Sequence, residues 1–142
     1  MFFSVGVELP KDENTAYGLV IPALCAESYG CFSAADNKED IAIMAHEVIL
    51  LTVEDMVANN RAVERIQDAG YLVYAKNTEY QYVDSWFVID VDLSEFSGKQ
   101  QRINISLPDT LIQRIDNRFK ESPAQYRDRS HFLAEAAKHE FS

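Results

Sequence analysis

Arg102-Ile103-Asn104-Ile105-Ser106-Leu107-Pro108 alternates polar and apolar residues until a proline stops it. The alternation puts Ile103, Ile105 and Leu107 on one side of a strand and Arg102, Asn104 and Ser106 on the other. Proline suits the first turn of a helix, and Leu111, Ile112, Ile115 and Phe119 then recur at helical spacing up to Pro123, with Asp109 in the first turn. Asp128 is a good N-cap for a second helix whose apolar positions are Phe132, Leu133, Ala136, Ala137 and Phe141. The order is strand, helix, helix. A lone strand leaves N–H and C=O groups unpaired along both edges, so this unit is expected to pair with a second copy of itself.

Upstream, Ser94–Gln101, with Gly98 and Lys99, has no periodicity and reads as a linker. The charge balance changes there. Residues 1–98 hold 5 basic and 17 acidic side chains and residues 99–142 hold 8 and 6, so the net charge of −10 divides into −12 and +2. These features set two domains, 1–97 and 98–142. A chain of 142 residues with 47% hydrophobic and 25% charged side chains is long and apolar enough to bury a core without disulfide staples. No apolar run reaches the roughly 18–20 residues of a membrane helix, and Met1–Leu9 lacks the basic start of a secretion signal. The expected location is the cytoplasm, away from membranes, where Cys25 and Cys31 stay free thiols.

In the front domain, Phe3, Val5, Val7 and Leu9 alternate with Ser4, Gly6 and Glu8 as a strand that Pro10 ends. Tyr17–Ile21 completes a hairpin, and Cys31–Ser33 supplies a short third strand. Asp36 or Asn37 caps a long helix with Ile41, Met44, Ala45, Val48 and Leu51 on its buried stripe. A further helix is expected over Ala62–Ala69, ended by Gly70, with strands over Tyr71–Ala75 and Trp86–Leu93. Asn77–Asp84 offers no readable pattern.

The tail, through Arg102–Pro108, Leu111-Ile112, Ile115-Asp116 and the strand-helix-helix order, resembles the ribbon-helix-helix family of bacterial DNA-binding dimers. The resemblance implies that Arg102, Asn104 and Ser106 meet bases in the major groove and that Ile103, Ile105 and Leu107 fill the dimer core. It also puts Arg129 and Ser130, at the start of the last helix, on a backbone phosphate. Arg, Asn and Ser are residue types that read base edges there. Asp128 departs from the family's common Ser. Taken alone, the alternation also fits the solvated face of an edge strand; the helix pair and the local excess of base favour DNA.

The front half, through Gly30-Cys31-Phe32-Ser33, Glu39-Asp40-Ile41-Ala42, Ala45-His46-Glu47-Val48-Ile49, the lead-in Ala16–Pro22 and the exit Trp86–Leu93, resembles the HicB antitoxin family. The resemblance implies an α+β chain: a partial ribonuclease-H-like domain of antiparallel sheet plus long helix, followed by the dimerising tail. It implies an antitoxin of a type II system that neutralises a HicA-type mRNA-cleaving toxin and represses its own operon at operator DNA. Self-association of the front domain would extend the homodimer to a homotetramer. Tyr17, Glu27 and Phe32 are the expected toxin contacts, by loop position and residue type. An RNA-cleaving toxin must be basic, and a −12 surface suits such a partner. The alternative is a ligand-sensing ribbon-helix-helix repressor without a toxin, its ligand in the sheet–helix cleft.

No enzyme is expected. Glu8, Asp12, Asp90 and Asp92 are the strand-associated carboxylates for a two-metal nuclease, with Glu47 on the polar face of the helix. His46, His131 and His139 share no motif with a nucleophile. The glycines are too dispersed to cradle a phosphate, so neither cofactor nor metal is expected.

Overall fold

The computed structural model describes residues 1–26 and 29–141 of the chain, which divides into two compact units, Met1–Gly98 and Lys99–Ser142. Among the described residues of the first unit, β1 (Phe2–Glu8), β2 (Tyr17–Val20), β3 (Phe32–Ala35) and β4 (Ser85–Asp90) form one antiparallel sheet in the order β3-β2-β1-β4. β1 is a central strand, with Gly6 opposite both Val20 and Trp86.

The period-two pattern of β1 turns Phe3, Val5 and Val7 into the main core, where Leu19 joins them and Phe87 and Ile89 pack alongside. Helix α1 (Ile41–Ala58) closes that core with Ala45, Ile49 and Val53, each fully buried. Burying a side chain the size of Ile49 or Phe3 contributes about 1.5–3 kcal/mol relative to leaving it in water.

The expected stripe on α1 holds at Ile41, Met44, Ala45 and Val48, which are buried or pack against the core, and is corrected only at Leu51. Leu51 is 57% exposed, and the buried line instead advances in four-residue steps through Ala45, Ile49 and Val53. Apolar residues also stand on the outward side of this helix, and Leu51 is one of them. The expected cap is corrected too. Asn37 begins a 3-10 turn (Lys38–Asp40), but its side chain accepts no amide; its Nδ2 donates to Asp40 Oδ2 at 3.3 Å.

Residues 62–84 are where the structure departs most from expectation: Val63 and Ile66 pack against the main core, and from Asp68 onward the segment covers the second face of the sheet. The helix expected over Ala62–Ala69 is a single 3-10 turn at Val63–Arg65, and the strand expected over Tyr71–Ala75 is a short helix, α2 (Tyr71–Tyr74). Gly70 starts α2 rather than ending a helix, and its φ of 90° explains a glycine there.

Asp68 decides this path. Its carboxylate accepts hydrogen bonds from Ser4 N at 2.6 Å, Ser4 Oγ at 2.8 Å and Gly70 N at 2.8 Å. Beyond it, Tyr74 and Tyr80 pack on Trp86 with ring centroids 6.1 and 6.0 Å away. Burial pushes the Tyr80 hydroxyl up to about 12.

Gly6 lies under this cover. An added Cβ would stand 2.9 Å from Val20 Cγ1, 3.0 Å from Val83 Cγ1 and 3.1 Å from Trp86 Cη2. Gly6→Ala is therefore expected to destabilise the unit by about 1–3 kcal/mol, read as a lowered urea midpoint. An unchanged midpoint would mean that the aromatic cover yields freely.

In the second unit, α3 (Asp109–Glu121) follows Pro108 and ends before Pro123, and α4 (Arg129–Glu140) begins at Asp128, whose carboxylate accepts from His131 N at 2.8 Å. Ile115 of α3 is buried, and Tyr126 packs on Phe132 with centroids 5.0 Å apart. The strand expected over 102–107 is not formed within the single chain: no hydrogen-bonded strand partner accompanies it among the described residues, and Ile103 and Ile105 are 73% and 57% exposed.

Candidate protein and nucleic-acid interfaces

Arg102, Asn104 and Ser106 are exposed beside Ile103 and Ile105, with Leu107 half-buried against its surroundings. This segment runs straight into α3 through Pro108, so its position is anchored at one end by a helix.

At the start of α4 the expected phosphate site is built differently from a bare helix terminus. Arg129 forms a two-pronged pair with Asp116 of α3, Nε to Oδ1 at 3.0 Å and Nη2 to Oδ2 at 2.8 Å. The Arg129 hydrogen bond holds the Asp116 carboxyl below its usual range. Asp128 already occupies the His131 amide, and His131 Nδ1 accepts from Arg127 N at 3.0 Å. Ser130 is exposed. Asp116 is the partner that sequence reasoning missed, because nothing in its helical position signals a pairing with a residue 13 places later.

In the first unit the expected toxin contacts do not gather on one face. Tyr17 stands opposite Ala35 on the α1 side of the sheet, packed against the core, whereas Phe32, 62% exposed, stands opposite Val20 on the other side. Glu27 lies outside the described residues. The sheet–helix space where a ligand was considered is filled by Phe3, Val5, Ile49 and Val53, all fully buried.

Three of the carboxylates considered for metal are engaged locally. Asp12 accepts from Asn14 N and Thr15 Oγ1, Asp90 from the Met1 ammonium at 3.1 Å and Asp92 from Ser94 N. Among the described residues, no three His, Cys, Asp or Glu side chains converge as metal ligands would.

Cys25 and Cys31 are free thiols; Cys31 N donates to Cys25 Sγ at 3.2 Å, and Thr52 Oγ1 donates to Cys31 Sγ at 3.3 Å. Burial pushes the Cys31 thiol up to about 11, which keeps it protonated and a poor nucleophile near neutrality. No helix among the described residues is long and apolar enough to cross a membrane.

The family described as the HicB-like antitoxin of bacterial toxin–antitoxin systems matches residues 3–137, a span that includes the sheet, α1, the exposed segment and most of α4. The chain belongs to the HicB-like antitoxin family. A relative from Haemophilus phage HP1, a 14.9 kDa protein of the rep–hol intergenic region, is 33% identical over 125 residues, 87% of each chain.

Among solved structures, the antitoxin HicB of Burkholderia pseudomallei is similar with a TM-score of 0.51 and 28% identity, covering 96% of this chain and 93% of its own. The antitoxin HicB3 shares the fold with a TM-score of 0.56 at 18% identity, covering 99% and 97%. The mixed α and β architecture with its antiparallel sheet is thus the architecture of HicB-like antitoxins.

Proposed function

We propose that this HicB-like antitoxin neutralises a HicA-type, RNA-cleaving toxin through residues 1–97 and represses its own operon through a ribbon-helix-helix formed by two copies of residues 98–142. The front domain, one antiparallel sheet with a long helix on it, is a partial ribonuclease-H-like fold working by occlusion rather than catalysis. The observation that carries the reading is the family match across both units, from residue 3 to residue 137. Charge supports it, since the acidic front domain suits a basic RNA-binding partner.

In the tail, pairing of two 102–107 segments across a two-fold axis would bury Ile103, Ile105 and Leu107 and present Arg102, Asn104 and Ser106 to the major groove. The exposure of Ile103 and Ile105 in the single chain supports that arrangement. Ser130 and Arg129 meet backbone phosphate at the start of α4, Arg129 by exchanging the Asp116 carboxylate for phosphate oxygens. A homodimer through the tail reads a palindromic or repeated operator.

Co-expression with the product of the adjacent reading frame tests the antitoxin half: rescue of growth arrest with a co-purifying complex is expected, and absence of both rejects it. Arg102→Ala tests the operator half, with an expected loss of about 1–3 kcal/mol in operator binding and relaxed base preference. Toxin neutralisation should be unchanged in that variant; its loss would reject the division of labour between the domains.

A further inference from the structure

Helix α1 is apolar on the side it does not bury. Ile43, Leu51 and Val57 are 64%, 57% and 42% exposed. From Ile43 to Val57 they span about 21 Å along the helix, at a rise of 1.5 Å per residue. A helix that packs on a sheet needs an apolar stripe on one face only, and large apolar side chains exposed on the other face mark a contact surface. Glu47 and Glu54 lie between these apolar residues on the same face, both exposed, with His46 at its margin.

The charges select the occupant. If a second copy packed α1 on α1 antiparallel about Leu50, Glu47 of one copy would lie beside Glu54 of the other; parallel packing would set each glutamate beside its own counterpart. Like charges brought together on desolvation are costly either way. A partner with an apolar ridge flanked by Lys or Arg meets no such penalty and gains two charge pairs.

We infer that the outer face of α1, with Ile43, Leu51 and Val57 as its apolar line and Glu47 and Glu54 as its charges, is the docking surface for the basic toxin. The assignment rests on the antitoxin reading above and adds the place of contact.

The test measures affinity between the full chain and the purified, catalytically inactivated product of the adjacent frame, by calorimetry, with thermal midpoint and operator binding followed in parallel. Ile43→Lys/Leu51→Lys should weaken the complex by about 100-fold or more, since truncating or charging central apolar contacts removes hot-spot energy. Both side chains are exposed, so the thermal midpoint and operator affinity should hold. A second variant, Glu47→Lys/Glu54→Lys, should weaken the complex by about 10-fold and do so less in high salt, because it alters steering and rim charge.

Wild-type affinity in a folded Ile43→Lys/Leu51→Lys variant overturns the assignment while leaving the antitoxin reading intact. Loss of self-association in that variant with toxin affinity unchanged also overturns it, making the face a contact between copies. Failure of the wild-type chain to bind overturns the antitoxin reading and the assignment together.

Discussion

Ile105→Lys is expected to leave the protein monomeric through its tail and to lower operator affinity by more than about 100-fold, a loss that exceeds the effect of removing any one base contact. In the proposed ribbon, each copy contributes the same strand to a two-fold axis, so one substitution acts twice. Each copy loses the burial of a large aliphatic side chain, about 1.5–3 kcal/mol, and two ammonium groups are brought near each other across antiparallel strands, where like charges are destabilising. Within the single chain Ile105 is 57% exposed and supports no other packing, so α3 and α4 should stay helical. Sedimentation equilibrium and a gel-shift titration read the two effects. A variant that remains dimeric and binds operator normally would show that the exposed isoleucines are not the dimer core.

Asp68→Ala is expected to cost the first unit about 3 kcal/mol, lowering its thermal midpoint by about 12 °C or more. The carboxylate accepts from Ser4 N, Ser4 Oγ and Gly70 N, and Ser4 is only 2% exposed. Alanine would leave the amide of a central strand buried without an acceptor, and an orphaned buried donor costs its full desolvation. Ser4→Ala removes only the hydroxyl bond and should cost about 1 kcal/mol. Equal midpoints for the two variants would mean that the Ser4 amide finds another acceptor and that Asp68 is not the anchor of residues 62–84.

This anchoring explains what was legible in the amino-acid sequence and what was not. β1, β2 and β4 announce themselves through alternation and β-branched or aromatic content, and α4 through Asp128, because those signals are local. Residues 62–84 carry local signals that tertiary contacts override. Asp68 bonds to a strand 64 positions earlier, and Tyr74 and Tyr80 take their places from Trp86. On α1 the core face is legible except at Leu51, where an outward apolar residue mimics an inward one. For the contact residues, the pairing of β2 with β3 puts Tyr17 and Phe32 on opposite faces of the sheet, a parity that loop position alone does not reveal. The exposed tail segment has the alternation of a strand, yet it has no hydrogen-bonded strand partner among the described residues.

The register of β1 governs when this protein can fold during its own synthesis. Phe2 is opposite Asp90 and Val7 opposite Ser85, so the first strand made sits beside the last strand of its unit. Until the chain has been extended past Asp90, β1 has one unpaired edge, and Trp86 is missing from the face that Tyr74 and Tyr80 cover. Closing so long a loop makes folding wait on nonlocal contacts, and the waiting chain shows a strand edge open to mispairing. A message cut before the codon for Asp90 therefore yields no smaller working version of the sheet. The tail is made after that unit, whose four described strands all precede it.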